Sequence, residues 1–134
     1  PASYTGFLIR RAQQSHVAAW QHCVSADVSS VQFGVLRILA AFPRSTQHDL
    51  CRQLDLDRST VADVVARLER RGLIARARDV ADRRRNRLEL TELGREQLDS
   101  LVPRVEEMDA LLTKRLSTKQ VATLRELLNL VIQD

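Results

Sequence analysis

Between Leu54 and Gly94 the chain reads LDLDRSTVADVVARLERRGLIARARDVADRRRNRLELTELG, and this stretch restricts the available folds more than any other. Val61, Val64, Val65 and Leu68 recur at the i, i+3, i+4, i+7 spacing of one buried helix stripe. Ser59, Thr60, Asp63 and Arg67 then point another way, toward solvent or a ligand. Leu54 to Asp57 is the preceding turn, with Asp57 or Ser59 as the helix cap. Gly72 supplies the stop after the helix, and Arg70 and Arg71 in the last turn suit the negative end of its dipole. Residues 73–78 and 86–90 each alternate apolar or small residues with charged ones, which predicts a hairpin whose tip is DVADRRR.

The charge of this stretch is lopsided. Ten arginines lie between Arg58 and Arg87 against four acids, Asp63, Glu69, Asp79 and Asp82, a local net of +6. The whole chain carries only +4, so everything outside that window nets −2. Basic charge is concentrated where a polyanion would be held, and is not spread over the surface for solubility.

The remainder reads as helices. Phe7, Leu8, Arg11, Ala12, Ser15, Ala18, Ala19 and Cys23 recur at three- and four-residue steps, predicting one long helix from Tyr4 to about Ala26. Asp27 to Ser30 offers caps for a second helix with Val31, Val35, Leu36, Leu39 and Ala40 on its core face, ended by Pro43. Thr46-Gln47-His48-Asp49 is a capping-box variant with Asp in place of Glu or Gln, opening a short third helix to Leu54. After the hairpin, Thr91 to Gly94 begins a helix carrying Leu98, Leu101, Val102, Val105, Met108, Leu111 and Leu112. Pro103 inside that pattern predicts a kink or break. Ser117 to Gln120 opens a final helix carrying Val121, Leu124, Leu127, Leu128 and Val131.

Several function classes are disfavoured. The 134 residues suit one compact domain with helical extensions, and 44% apolar residues are enough for a core. No apolar run approaches the roughly 18 residues of a membrane span and no secretory pattern opens the chain, so the expected location is the cytoplasm, away from membranes. Pro1, where a methionine would stand, is read as a trimmed or processed start. The two cysteines, Cys23 and Cys51, have no CxxC spacing and no nearby histidine pair, so neither a metal nor a cofactor is expected. Cys51, between Leu50 and Leu54, reads as a small core residue. No nucleophile-base-acid set, Gly-rich phosphate loop or HExxH is present, and Glu106-Glu107 looks like helix surface, so an enzyme is not expected.

The predicted fold is therefore mainly α with a small β-hairpin wing: a winged helix-turn-helix flanked by N- and C-terminal helices. In such a fold the second helix of the pair lies in the major groove of DNA, which here presents Arg58, Ser59, Thr60, Asp63 and Arg67. Arg83, Arg84 and Arg85 at the wing tip would reach phosphates or a narrow minor groove.

At this point the chain resembles the MarR family of bacterial transcriptional regulators. The matching residues are LDRSTVADVVARLERRGLIAR (56–76), the D-x-x-D-R-R wing at Asp79 to Arg84, and L-x-L-T-x-x-G at Leu88 to Gly94. The usual proline after the first wing aspartate is replaced by Val80. The match is specific over residues 46–95 and looser at both helical ends. It implies a single MarR-like domain over 1–134, with 30–95 as the DNA-binding region and 1–26 and 98–134 as dimerisation helices. It further implies a homodimer on a roughly palindromic double-stranded DNA operator, and release by a small, often aromatic and anionic, effector.

By the same resemblance the effector pocket would draw on Arg11, His16, Trp20, Ser30 and Phe33, with Arg10, His22, Ser29 and Arg37 nearby. A guanidinium such as Arg11 suits a carboxylate, and Trp20 or Phe33 suits stacking on a ring, so an aromatic carboxylate or its acyl thioester is the expected inducer of a repressor. Arg10 and Arg11, being adjacent, cannot share a helix face. Two other readings stay open: a winged-helix protein that coats DNA without sequence preference, and a regulator of the same family that senses oxidation through Cys23.

Overall fold

The computed structural model describes residues 3–78, 81 and 86–133. The elements run α1 (Thr5–Cys23), α2 (Ser30–Ala41), α3 (Gln47–Leu54), α4 (Arg58–Arg70), β1 (Ile74–Arg78), β2 (Asn86–Leu90), α5 (Glu92–Leu112) and α6 (Thr118–Ile132). The strands form an antiparallel pair with Ile74 opposite Leu90 and Arg76 opposite Leu88. This is the mainly helical winged fold expected from the patterning.

The boundaries follow from local hydrogen bonding. Ser29, Thr46 and Ser117 each accept a bond from the backbone N–H three residues on, and the side chains of Gln32, Asp49 and Gln120 return the bond to the cap N–H. These reciprocal boxes satisfy two otherwise orphaned donors per helix. The end of α4 is equally explicit. Gly72 sits at φ 74°, its N–H bonds Glu69 O at 2.9 Å and the Leu73 N–H bonds Leu68 O at 3.0 Å. Only a residue without Cβ takes that left-handed position cheaply, and Leu68 and Leu73 both go into the core.

Two boundaries depart from expectation. The first helix stops at Cys23, short of Ala26, because the Ser25 hydroxyl accepts from the Asp27 and Val28 N–H groups at 3.0 and 2.9 Å. That local turn competes with helix continuation. Pro103 does not break its helix, since α5 runs from Glu92 through it to Leu112. A single proline removes one donor, and here the ring is exposed while Leu101 and Met108 on either side are buried.

The chain forms two compact units, Ser25–Pro103 and a second made of Pro1–Val24 with Arg104–Asp134, so the division falls beside that proline. The first unit is built around Val35, Leu36 and Leu39 of α2, Leu50 of α3, Val61, Val65 and Leu68 of α4, and Leu73, Ile74, Leu88 and Leu98. Val64, Leu54 and Cys51 are partly buried against this core. Ser45 adds a bridge to the hairpin: Leu88 N–H donates to Ser45 O at 2.8 Å and Arg44 N–H to Leu88 O at 3.1 Å.

In the second unit, Arg125 of α6 pairs with Asp109 of α5 at 2.6 Å and Arg104 donates to Val24 O at 3.3 Å. Trp20, Val24 and Met108 are buried there. No residue of α6 is buried, although it carries an apolar stripe.

Candidate nucleic-acid interface

Helix α4 divides cleanly into a covered and an open face. Val61, Val65 and Leu68 are fully buried, whereas Arg58, Ser59, Thr60, Asp63 and Arg67 are all exposed. The spacing predicted this partition, and it results from packing on α3, α2 and β1. An exposed polar edge on a helix pinned by its other side is a preorganised surface, because its backbone has already been ordered by folding.

Asp57 organises the N-terminal end. Its Oδ1 accepts from the Thr60 N–H at 2.7 Å and from the Ser59 hydroxyl at 3.2 Å. The Thr60 side chain, then its backbone N–H, then the Ser59 hydroxyl hold the Asp57 carboxyl below the usual carboxylate range. Of the two caps open to the sequence, Asp57 is thus the one used, and it orients Ser59 and Thr60 as well.

Four of the six arginines of the basic stretch whose side chains are described, Arg67, Arg71, Arg76 and Arg87, have partners. Arg67 Nε meets Asp63 Oδ2 at 3.1 Å one helical turn away, and Arg76 Nε meets Glu69 Oε1 at 2.8 Å. Arg71 donates to Asp27 O at 2.8 Å, tying the end of α4 to the segment before α2. Arg87 donates to Arg44 O at 3.3 Å, and Arg44 pairs with Glu89 at 2.9 Å. Exposed pairs of this kind contribute about 0–1 kcal/mol each, so they position guanidinium groups more than they stabilise the fold. Among the described residues, Arg58 and Arg70 have no side-chain partner. Arg83, Arg84 and Arg85 lie outside the described residues.

Sequence patterning does not single out the contacts that Arg44, Arg71 and Arg87 make. Arg87 and Glu89 could have been singled out, since strand alternation puts them on the face opposite buried Leu88. Arg44 had no such signal: it adopts φ 68°, a left-handed conformation that arginine seldom takes.

The residues expected to hold an effector are distributed over both units. Arg11, His16 and Trp20 lie on α1; Trp20 is buried and its indole meets the His16 ring edge-on at 6.1 Å between centroids. His16 also lines a cavity of about 640 Å³ with Leu8, Ala12, Leu112 and Leu124, whereas Arg11 is exposed and does not line it. Ser30 is the first residue of α2, and Phe33 is partly buried against the core of the other unit. That unit has its own opening of about 490 Å³, where Arg37 and Arg95 stand over Ile38, Leu98 and Val102. Among the described residues no cluster of His, Cys, Asp or Glu could hold a metal ion, and both cysteines are half-buried thiols.

A MarR family model matches residues 26–85, and the transcriptional regulator HosA of Escherichia coli O127:H6 is 34% identical over 112 residues, 84% of this chain and 82% of that one. The chain belongs to the MarR family. Solved structures agree over almost the whole length. The PcaV transcriptional regulator from Streptomyces coelicolor, in complex with its natural ligand, superposes with a TM-score of 0.94 at 38% identity, covering 97% of this chain and 92% of PcaV. BpsR of Bordetella bronchiseptica, whose DNA binding is regulated by 6-hydroxynicotinic acid, superposes with a TM-score of 0.92 at 31% identity, covering 99% and 96%. This MarR-family chain is accordingly a winged-helix, DNA-binding transcriptional regulator. Among the described residues no helix is long and apolar enough to cross a membrane.

Proposed function

We propose that this regulator is a homodimeric repressor that holds a palindromic operator and releases it when a small aromatic acid or its acyl thioester binds. The observation that carries the DNA reading is the exposed edge Arg58, Ser59, Thr60, Asp63 and Arg67 on a helix whose opposite face is buried. In this reading α4 enters the major groove by its N-terminal end, while Arg83, Arg84 and Arg85 reach the neighbouring minor groove. Two copies related by a two-fold axis would place their α4 helices in successive major grooves, with half-sites about 34–36 Å apart. As a DNA-binding regulator the protein acts in the cytoplasm.

A dimer is supported by α6, which buries nothing although Leu127, Leu130, Val131 and Ile132 are 54–65% exposed. An apolar helix face of that extent is stable in water when a second surface covers it. The effector class is supported by BpsR, whose DNA binding is regulated by 6-hydroxynicotinic acid, and by the cationic and aromatic side chains among the candidates Arg11, His16, Trp20, Ser30 and Phe33. Arg11 would take the carboxylate, and Trp20 or Phe33 the ring.

Footprinting on duplexes enriched from a randomised library, repeated with benzoates, hydroxycinnamates and their acyl thioesters, tests the reading. A defined palindromic footprint that one of these compounds abolishes is the expected result. Uniform protection of any sequence, or no release by any member of the panel, would refute the corresponding half.

A further inference from the structure

The pair formed by Asp63 and Arg67 distinguishes two roles that an exposed arginine could take on DNA. A guanidinium can neutralise a phosphate, which carries no sequence information, or it can bind the O6 and N7 acceptors of guanine through two parallel N–H groups. The geometry on α4 favours the second. Asp63 Oδ2 stands 3.1 Å from Arg67 Nε, and among the described residues no hydrogen bond holds the two terminal nitrogens. Those nitrogens form the end-on fork that fits O6 and N7 of one guanine.

Direction and charge point the same way. Arg67 stands near the C-terminal end of α4, but its partner is one turn nearer the N-terminus, so the ion pair draws the guanidinium toward the end that enters a groove. The pair has no net charge. Both side chains are about 60% exposed, so the carboxylate is present at the same surface as the arginine and would be repelled by a phosphate beside it. It adds little to the counterion release that drives non-specific binding.

We infer that Arg67 reads one guanine in each half-site and that Asp63 is the positioning residue that aims it and penalises other placements. This rests on the proposed entry of α4 into the major groove. It goes further by assigning a base and by separating Arg67 from the phosphate-binding arginines.

The test measures full-length wild type, Arg67→Ala, Arg67→Lys, Asp63→Asn and Asp63→Ala against the enriched duplex and every single base-pair variant of it, over a range of salt concentrations. Circular dichroism checks that each variant keeps its helix content, which the exposure of both side chains leads us to expect. Arg67→Ala should erase a preference of about tenfold or more for one G·C pair per half-site, with the slope of log affinity on log salt nearly unchanged. Arg67→Lys should not restore it, because lysine lacks the planar fork. Both Asp63 variants should weaken the same preference while binding random duplex more tightly than wild type. If Arg67→Ala instead lowers affinity for all duplexes equally and reduces the slope by about 0.9, Arg67 is a phosphate contact and the inference is wrong. Unchanged preference in the Asp63 variants would overturn the positioning role alone. A wild type that enriches no sequence would remove the operator reading, and this inference with it.

Discussion

Gly94 approaches the backbone of Leu73 so closely that a Cβ on Gly94 would collide with the Leu73 carbonyl oxygen. The start of α5 is seated there by Thr91, whose hydroxyl donates to Gly72 O at 2.6 Å and accepts from the Gly94 N–H at 3.0 Å. The obstruction is backbone, so it cannot rotate away. Gly94→Ala should therefore destabilise the fold by about 1–3 kcal/mol, and Thr91→Ala by about 1 kcal/mol through loss of the cap. Urea midpoints at fixed protein concentration check both, with an unchanged m-value expected. A Gly94→Ala protein as stable as wild type would contradict the close approach.

The cap of α4 should respond to pH. Asp57 is held below the ordinary carboxylate range in the folded protein by its bonds to Thr60 and Ser59. A depressed folded-state pKa gives stability that is present above the unfolded pKa and disappears as pH falls through the folded one. Asp57→Asn keeps a competent cap but has no proton to gain. Wild type should be the more stable of the two at neutral pH, and the difference should vanish below the carboxylate range. A difference independent of pH, in paired denaturation curves, would show that Asp57 acts through shape alone.

The wing arginines should behave as phosphate ligands. Arg84→Ala is expected to weaken binding to operator and random duplex alike and to lower the salt slope by about 0.9. Fluorescence anisotropy at several salt concentrations measures both quantities. A selective loss at one base pair would instead make Arg84 a reader of sequence.

The uncovered face of α6 should be where two copies meet. Leu127 and Val131 stand one turn apart and are 54% and 62% exposed. Replacing both with glutamate should raise the dimer dissociation constant by about thirtyfold or more, the equivalent of about 2 kcal/mol. Sedimentation equilibrium reads this directly. An unaltered dimer would move the interface elsewhere.

The effector reading singles out Arg11. Arg11→Ala should raise the concentration of aromatic carboxylate needed for operator release by about tenfold or more, the loss of one charge-assisted contact. Affinity for the operator without effector should stay as in wild type. Equal sensitivity of both proteins would remove Arg11 from the site.

Most of the helix-turn-helix was legible because its signals are local. The Val61–Val65–Leu68 stripe, the Thr46–Asp49 box and the Gly72 stop each depend on residues at most seven positions apart, and each is where the pattern put it. The end of α1 is not legible in the periodicity, which carries the helix through Ser25, whereas the Ser25 hydroxyl bonds the backbone ahead of it. Pro103 does not break α5. A ring that costs one hydrogen bond does not end a helix whose buried residues resume on the far side.

Periodicity, capping chemistry and charge patterning determined which segments are helix, which face of α4 is covered and where basic charge accumulates, since these follow from geometry repeated every few residues. Tertiary structure decided which arginines are already held and by what. Arg44 meets Glu89 across 45 positions and Arg71 meets Asp27 across 44. It also decided that position 94 admits nothing larger than glycine. Contacts between residues so far apart exist only once the core has brought their backbones together, and no local rule encodes that approach.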